Sequence, residues 1–375
     1  MRRVLEFIRH GLILASLALT PIGVSAQSGK TAAPADWEEV VEAARKEGKV
    51  VVSIPSSADL RKSLEKTFKQ RFGIEVESVS ARGSASVRRI ADESKAGVRY
   101  FDLHMGGSES IVGGLLGEGI LAPVGDFFLL PEVKDPKHWW GGHIWTDNAK
   151  KFIYTSLAYI TENLWYNSDL MKPEEIRSFD DLLHEKWKGK MGFLDPRTPG
   201  SGASLWSYLR EIKGEEFLKK LVGQKLVLGR DQRILAENVA KGNLTLVMGL
   251  TYYSFAPFVK AGLPVRPLPT PKEGVYISGG SGHLVVLKSA PHPNATKVFV
   301  NWFLGREGQD LFSRAMGQGT RRLDVETKWL SEAGVTAAKD IYPPEEYAKR
   351  ENNSEEKIER VREPGAALAR KLLRQ

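Results

Sequence analysis

From residue 37 onward the chain runs in two hydrophobic rhythms. Trp37, Val40, Val41 and Ala44 fall at i, i+3, i+4 and i+7, the period of a helix with one apolar face, with Asp36 placed to cap it and Gly48 to end it. Three short β-rich runs come next: "VVVSI" (50–54), "IEVESV" (74–79) and "FDLHM" (101–105). Each passes through a loop into a helix-period segment. That order predicts βαβ units, and therefore a parallel sheet with right-handed crossovers.

The middle of the chain repeats the scheme. "GKMGFLD" (189–195), "LVLG" (226–229) and "LTLVMG" (244–249) are strand-like runs that open into loops, which predicts a second lobe. Between the two sets, "FIYTSLAYITENLWYNSDL" (152–170) is β-rich without Gly or Pro and is expected to cross between lobes. A return crossover is expected within "VYISGGSGHLVVLK" (275–288), followed by an amphipathic helix, "ATKVFVNWFL" (295–304). The closing "SEEKIERVREPGAALARKLL" is helical in pattern, should break at Pro364-Gly365, and is expected to be a solvated outer helix. The fold class implied is α/β with two lobes, each a mixed, mostly parallel sheet flanked by helices, joined by two crossover strands. The first lobe would hold 36–150 with the returning 279–330, the second 151–278, and 331–375 a C-terminal helical segment.

Composition narrows the class. A chain of 375 residues exceeds what a single core usually organises, and 42% hydrophobic with 27% charged residues is a globular balance. The first 26 residues differ: Arg2, Arg3 and Arg9 precede the apolar run "GLILASLAL", and Val24-Ser25-Ala26 ends in the small residues of a cleavage site. The run is about half of the roughly 20 residues a membrane span requires, so it reads as a cleavable export signal, with "QSGKTAAPA" (27–35) as a flexible leader. No cysteine occurs, which implies a released periplasmic protein without lipid anchor or disulfides. Without residues 1–26 the net charge falls from +8 to +6, spread along the chain. With no basic stripe and no nucleic-acid motif, that balance reads as a solvated surface, not a nucleic-acid site, and its modest positive field would assist capture of an anionic solute.

Chemistry gathers at the predicted strand exits. Ser56-Ser57, Arg82-Gly83-Ser84 and Gly106-Gly107-Ser108-Glu109 follow the first three strands. Ser201 and Gly202, then Arg230, then Tyr252 and Tyr253 follow the later three. Any one of the serines has the ordinary explanation of a helix N-cap. Together they occupy the carboxyl ends of parallel strands, where α/β sheets bind ligands beside helix N-termini that favour anions. Ser56, Ser57, Arg82, Ser84, Gly107, Ser108, Ser201, Gly202, Arg230, Tyr252 and Tyr253 are the candidate ligand-binding residues. Arg197 and Arg322 suit the role too, or equally an ordinary ion pair.

Four stretches then carry a resemblance: "ENLWYNSDL" (162–170), "FDDLLHEKWKGKMGFLDPRTPGSG" (179–202), "VAKGNLTLVMGLTYY" (239–253) and "VVLKSAPHPNATKVFVNWFLGREGQDLF" (285–312). Together they resemble the type 2 periplasmic solute-binding proteins of ABC importers, in the branch of ferric-ion, thiamine and phosphonate binders. The resemblance implies a monomer that closes on a small molecule and hands it to an inner-membrane permease, with no cofactor and no catalysis. In the ferric members a tyrosine pair after this same strand supplies phenolates, and Tyr252-Tyr253 matches it. Those members complete the site with a His after the first strand and a Glu after the third; here "IPSSADL" has no His and Glu109 lies late. An organic anion held by Tyr hydroxyls and a bidentate arginine therefore fits better than Fe(III), with iron on Tyr252 and Tyr253 as the alternative.

Other motifs carry less. His138 and His143 in "HWWGGHIW" lack zinc-site spacing, and Trp139, Trp140 and Trp145 read as packing. "GGSGH" (279–283) misses the nucleophile elbow because His283 replaces its last glycine, which leaves a Ser281–His283 hydrolase as a remote alternative to a turn. "SGKT" (28–31) lacks the Walker glycine spacing.

Overall fold

The computed structural model describes residues 36–81, 83–161 and 163–374. The export signal, the leader and Arg82 expected from the sequence lie outside the described residues. No helix among the described residues is long and apolar enough to cross a membrane.

The first lobe is built on β1 (Lys49–Ile54), β2 (Glu75–Ser80), β3 (Leu103–Gly106), β4 (Leu121–Ala122) and β5 (Tyr154–Thr155). Strands β1, β2 and β3 pair in parallel, as the βαβ pattern predicts. After β6 (Tyr159–Thr161), β7 (Leu164–Asn167) opens the second sheet with β8 (Met191–Leu194), β9 (Val227–Gly229), β10 (Leu246–Met248) and β11 (Val265–Pro267), in the order β11-β7-β10-β8-β9. The chain then returns to the first sheet as β12 (His283–Leu287), antiparallel to β3, β4 and β5, giving the order β2-β1-β3-β12-β4. Residues 156–163 and 268–282 are thus the two connections between sheets. A last strand, β13 (Val335–Ala337), pairs with β6.

Both sheets are covered on both faces, which is why their strands read as nearly continuous apolar runs. In the first, Val50, Val52, Leu103, Met105 and Leu284 face a core shared with α1 (Trp37–Glu47), α2 (Ala58–Phe72), α9 (Pro293–Leu304) and α10 (Arg306–Met316). Val51 and Val285 face the other way, onto α3 (Gly83–Lys95) and α4 (Ser108–Gly114). A short α5 (Pro131–Lys134) precedes the Trp139 segment. In the second sheet, Leu164, Tyr166 and Phe193 face α6 (Ser201–Gly223), while Trp165, Leu194 and Val247 face α7 (Gln232–Ala240) and α8 (Tyr252–Lys260). Alternate residues of β7 therefore serve opposite cores, as the two-residue strand period demands.

Four local expectations are corrected. Asp36 precedes α1 but its side chain makes no cap hydrogen bond, whereas Gly48 ends the helix at φ +79° as expected. Helix α9 is not amphipathic: Ala295, Val298, Phe299, Val300, Trp302, Phe303 and Leu304 are all buried, because the helix is sandwiched between the sheet and neighbouring helices. The C-terminal pattern does not break at Pro364. Beyond α11 (Tyr347–Arg350), α12 (Glu355–Lys357) runs through a π-helical turn (Ile358–Arg362) into α13 (Glu363–Leu372), with Pro364 in the first turn of α13. A first-turn proline needs no donor there. Nor is this helix solvated: Leu368, Ala369 and Leu373 join the core against α6.

Candidate functional site

The exits of the first-lobe strands lie side by side. Ser80 Oγ, ending β2, donates to Pro55 O beyond β1 at 3.3 Å, Gly83 sits against Ser110, and Gly107 against the Gly280 carbonyl. Ser57 has the ordinary role: its hydroxyl accepts from Leu60 N–H at 3.2 Å as the N-cap of α2, while Ser56 is exposed beside it. Ser84 lies inside α3 on an exposed face, Ser108 is buried at the start of α4, and Gly107 precedes it. Gly280, at φ +52°, must be glycine, since a Cβ would come within 2.4 Å of the Tyr159 hydroxyl and 2.6 Å of Gln318 Oε1, which in turn accepts from Ser281 N–H at 3.0 Å.

The second-lobe exits are tied together by two polar centres. One is Asp195, buried at the end of β8. It accepts from Arg197 Nε at 2.8 Å and Nη2 at 2.9 Å, from Arg197 N–H at 3.1 Å, and from Arg230 Nε at 3.0 Å. Burial pushes the Asp195 carboxyl up, but the hydrogen bonds from Arg197 and Arg230 outweigh it and hold it below its ordinary value. One carboxylate thus aligns two guanidinium groups and leaves a net positive charge. Arg230 is mostly exposed and uses only Nε, so its two terminal nitrogens are uncommitted among the described residues.

The other centre is Gln232, at the start of α7. Its Oε1 accepts from Thr251 N–H (3.3 Å), Thr251 Oγ1 (3.1 Å) and Ser254 Oγ (2.9 Å), and its Nε2 donates to the Tyr253 hydroxyl at 3.0 Å. Burial raises the Tyr253 phenol, and hydrogen bonds to Thr251 and Gln232 partly oppose this. Tyr252 lies over Trp165, ring centroids 6.2 Å apart, and against Gly317 of the first lobe. Ser201 Oγ donates to Gly249 O at 2.6 Å. Gly202 does not line the surface: it is buried under the β8 exit, where a Cβ would fall 2.2 Å from Leu194 O. Its place is a packing requirement, and it leaves the ligand-binding set.

Contacts among the described residues join the two rows of exits. Tyr252 meets Gly317, Lys260 of α8 approaches Asp59 of α2 at 3.5 Å on the surface, and Arg362 donates both to Glu109 of α4 and, at 3.3 Å, to Gly200 O before α6. Asp195 and Gln232 escaped the sequence reading, although an acid at a strand exit two residues before an arginine was a usable signal. Arg362 gave none, being 253 residues from its partner.

The remaining motifs are structural. His143 bonds to the Tyr154 hydroxyl (3.1 Å) and donates to Lys134 O (2.9 Å), and Trp139 and Trp140 are buried, as packing predicts. Arg322 is buried against Asp324 (2.7 Å), Glu132 O and Leu304 O. Residues 279–282 form a turn, closed by Gly282 N–H on Gly279 O at 3.0 Å. His283 turns its Nδ1 to Thr146 Oγ1 at 2.8 Å, burial drives its pKa down to about 3, and it makes no hydrogen bond with Ser281. His104 is likewise buried on Ser53 Oγ at 2.8 Å, with a pKa lowered to about 4 by burial.

Two lobes joined by two connections, with strand exits meeting at Tyr252 and Gly317, make a frame that permits hinge closure. The family model "Bacterial extracellular solute-binding protein" matches residues 52–310. The chain belongs to this family. The fold expected from the resemblance is therefore the fold observed. Among solved structures, iron-bound HitA from Pseudomonas aeruginosa is similar at TM-score 0.64 and 18% identity, covering 86% of this chain and 99% of that one. AfuA from Actinobacillus pleuropneumoniae, with exogenous fructose-6-phosphate bound, is similar at TM-score 0.62 and 19% identity over 86% and 99%. The ferric binding protein from Campylobacter jejuni gives 0.63 and 16% over the same shares. At these identities the likeness establishes the fold alone. A curated protein of Haemophilus influenzae, described as uncharacterized, is 29% identical over 166 residues, 43% of this chain; the match spans under half, 45%, of that relative's length.

Proposed function

We propose that this extracellular solute-binding protein is the periplasmic, substrate-capturing component of an ABC importer, that it closes as a monomer on a small anionic organic solute, and that it delivers the solute to an inner-membrane permease. The observation that carries the reading is Arg230, aligned by buried Asp195 with its terminal nitrogens free of partners among the described residues, at the second-lobe strand exits that also carry Tyr252, Tyr253 and Ser201. A guanidinium with both terminal N–H groups available is the donor set that takes a carboxylate, phosphate or phosphonate in two parallel bonds. Ser56, Ser57 and Ser84 stand farther along the first-lobe row, as rim groups rather than anchors. Solute touching both rows favours the closed state by its differential affinity. Isothermal titration against phosphate esters, phosphonates and carboxylates tests it: binding is expected for one class and lost in Arg230→Gln, and retention of full affinity in that variant would remove the anchor.

A second reading has its own support. Adjacent tyrosines opening α8, in a fold shared with iron-bound HitA, favour Fe(III) on Tyr252 and Tyr253 as cargo. Against it, the Tyr253 oxygen already accepts from Gln232, its pKa is raised rather than lowered, and Glu109 is committed to Arg362. A tyrosinate charge-transfer band on adding ferric citrate would select this second reading; a colourless mixture removes it.

A further inference from the structure

The C-terminal segment crosses from one lobe to the other. Near residues 350–355 it is fastened to the first lobe and a connecting strand: Ile277 N–H donates to Arg350 O at 2.8 Å, Asn353 Nδ2 to Ile277 O at 3.0 Å, Glu355 N–H to Thr146 O at 2.9 Å, and Asn148 N–H to Glu355 Oε2 at 2.6 Å. Beyond the crossing, α13 lies on α6 of the second lobe, where Trp206 Nε1 donates to Gly365 O at 3.0 Å. A Cβ on Gly365 would meet Ser207 Oγ at 2.3 Å, so helix and helix touch directly. The π-helical turn falls between these two attachments, and such single turns inside helices are frequent at functional sites.

Arg362 ends that turn with its side chain 4% exposed. Its Nη2 donates to the Glu109 carboxylate and to Gly200 O, while its Nε–H has no partner among the described residues. Glu109 accepts no other hydrogen bond among the described residues, and it fills only part of a fork that takes two oxygens. As a device for stability this is poor: buried ion pairs roughly break even against apolar packing, and a buried unbonded N–H costs more. Both features have a reason if the carboxylate occupies a place meant for another anion.

We infer that Arg362 is a specificity-determining residue of the cleft, a second receiver of the solute's oxyanion alongside Arg230, and that Glu109 is an internal stand-in that holds the lobes together until solute displaces it. The receiving role rests on the anionic-solute reading above; the clamp does not. Small-angle scattering of ligand-free protein tests the clamp: Glu109→Gln and Arg362→Gln should each increase the radius of gyration, and unchanged scattering in Glu109→Gln overturns it. Calorimetric titration with fructose 6-phosphate and with citrate tests the receiver and separates phosphate from carboxylate. Glu109→Gln removes a charged competitor and should tighten a probe that wild type binds by about tenfold, while Arg362→Gln abolishes binding and Arg362→Lys, which keeps the charge if the Gln variant folds poorly, retains part of it. Weaker or equal binding by Glu109→Gln overturns this inference and leaves the anionic reading standing. Failure of wild type to bind either probe removes the anionic reading and the receiving role together, and the scattering then decides the clamp.

Discussion

Asp195→Asn probes the cationic rim most sharply. The carboxylate is 2% exposed and accepts four hydrogen bonds, three from Arg197 and one from Arg230. Arg230 is 62% exposed, so solvent screens its contact to about 0–1 kcal/mol. Arg197, only 27% exposed, makes the two-pronged contact, and a hydrogen bond to a buried charge contributes about 1.5–3 kcal/mol. Asparagine keeps the shape but loses the charge and one acceptor, so about 2–3 kcal/mol should be lost at neutral pH, read as a lower urea midpoint with an unchanged slope. The pH dependence has a definite sign. The folded carboxyl lies below its ordinary 3.8, so its stabilisation is present above that value and fades as pH falls through the depressed one. The gap between wild type and variant should therefore narrow in acid. A difference under about 0.5 kcal/mol, or a gap that ignores pH, would refute the reasoning.

Other changes read out neighbouring parts. Gly317→Ala puts a methyl 2.3 Å from Tyr252 Cδ1 at a φ of +59°, so it should cost about 1–3 kcal/mol and push the lobes apart; small-angle scattering should show the expansion and a second change, Tyr252→Ala, should reverse it. Gln232→Ala removes a hydrogen bond that opposes the burial-raised pKa of Tyr253, so in an ultraviolet pH titration one tyrosine should move to still higher pH; a downward move contradicts the network. Arg321→Met leaves the carbonyls of Trp140, Gly142 and Thr155 without a buried donor; an unmet buried acceptor costs about 1–3 kcal/mol, so stability in urea should fall by at least that much, with less than about 1 kcal/mol counting against it.

Most of the frame was legible because covered sheets write themselves as apolar runs. "VVVSI", "IEVESV" and "LTLVMG" each became a strand within one or two residues, and the segments 152–170 and 275–288 do connect the two sheets. What escaped depends on distance in sequence. Nothing near "IERVREPG" tells that Arg362 will meet Glu109, or that α13 will bury Leu368 against α6. The same limit made "ATKVFVNWFL" seem one-faced, since its polar positions Thr296 and Asn301 are satisfied internally, on His292 O and Phe127 O. At the site, residue type was the clearer guide and role the poorer one. Serine at a strand exit was an N-cap at Ser57, and glycine at Gly202 served backbone contact, whereas Arg230 and Tyr253 stand where the strand-exit argument put them.

In the proposed function, Arg230 grips a small anion between the lobes. A thermal-shift screen of purified protein against phosphate esters, phosphonates, carboxylates and ferric citrate measures this directly, because a ligand at 100 times its dissociation constant stabilises by about 2.7 kcal/mol. The expected result is a rise in melting temperature with one class of oxyanion that disappears in Arg230→Gln. A rise with ferric ion alone, or an oxyanion shift that survives the loss of Arg230, would contradict it.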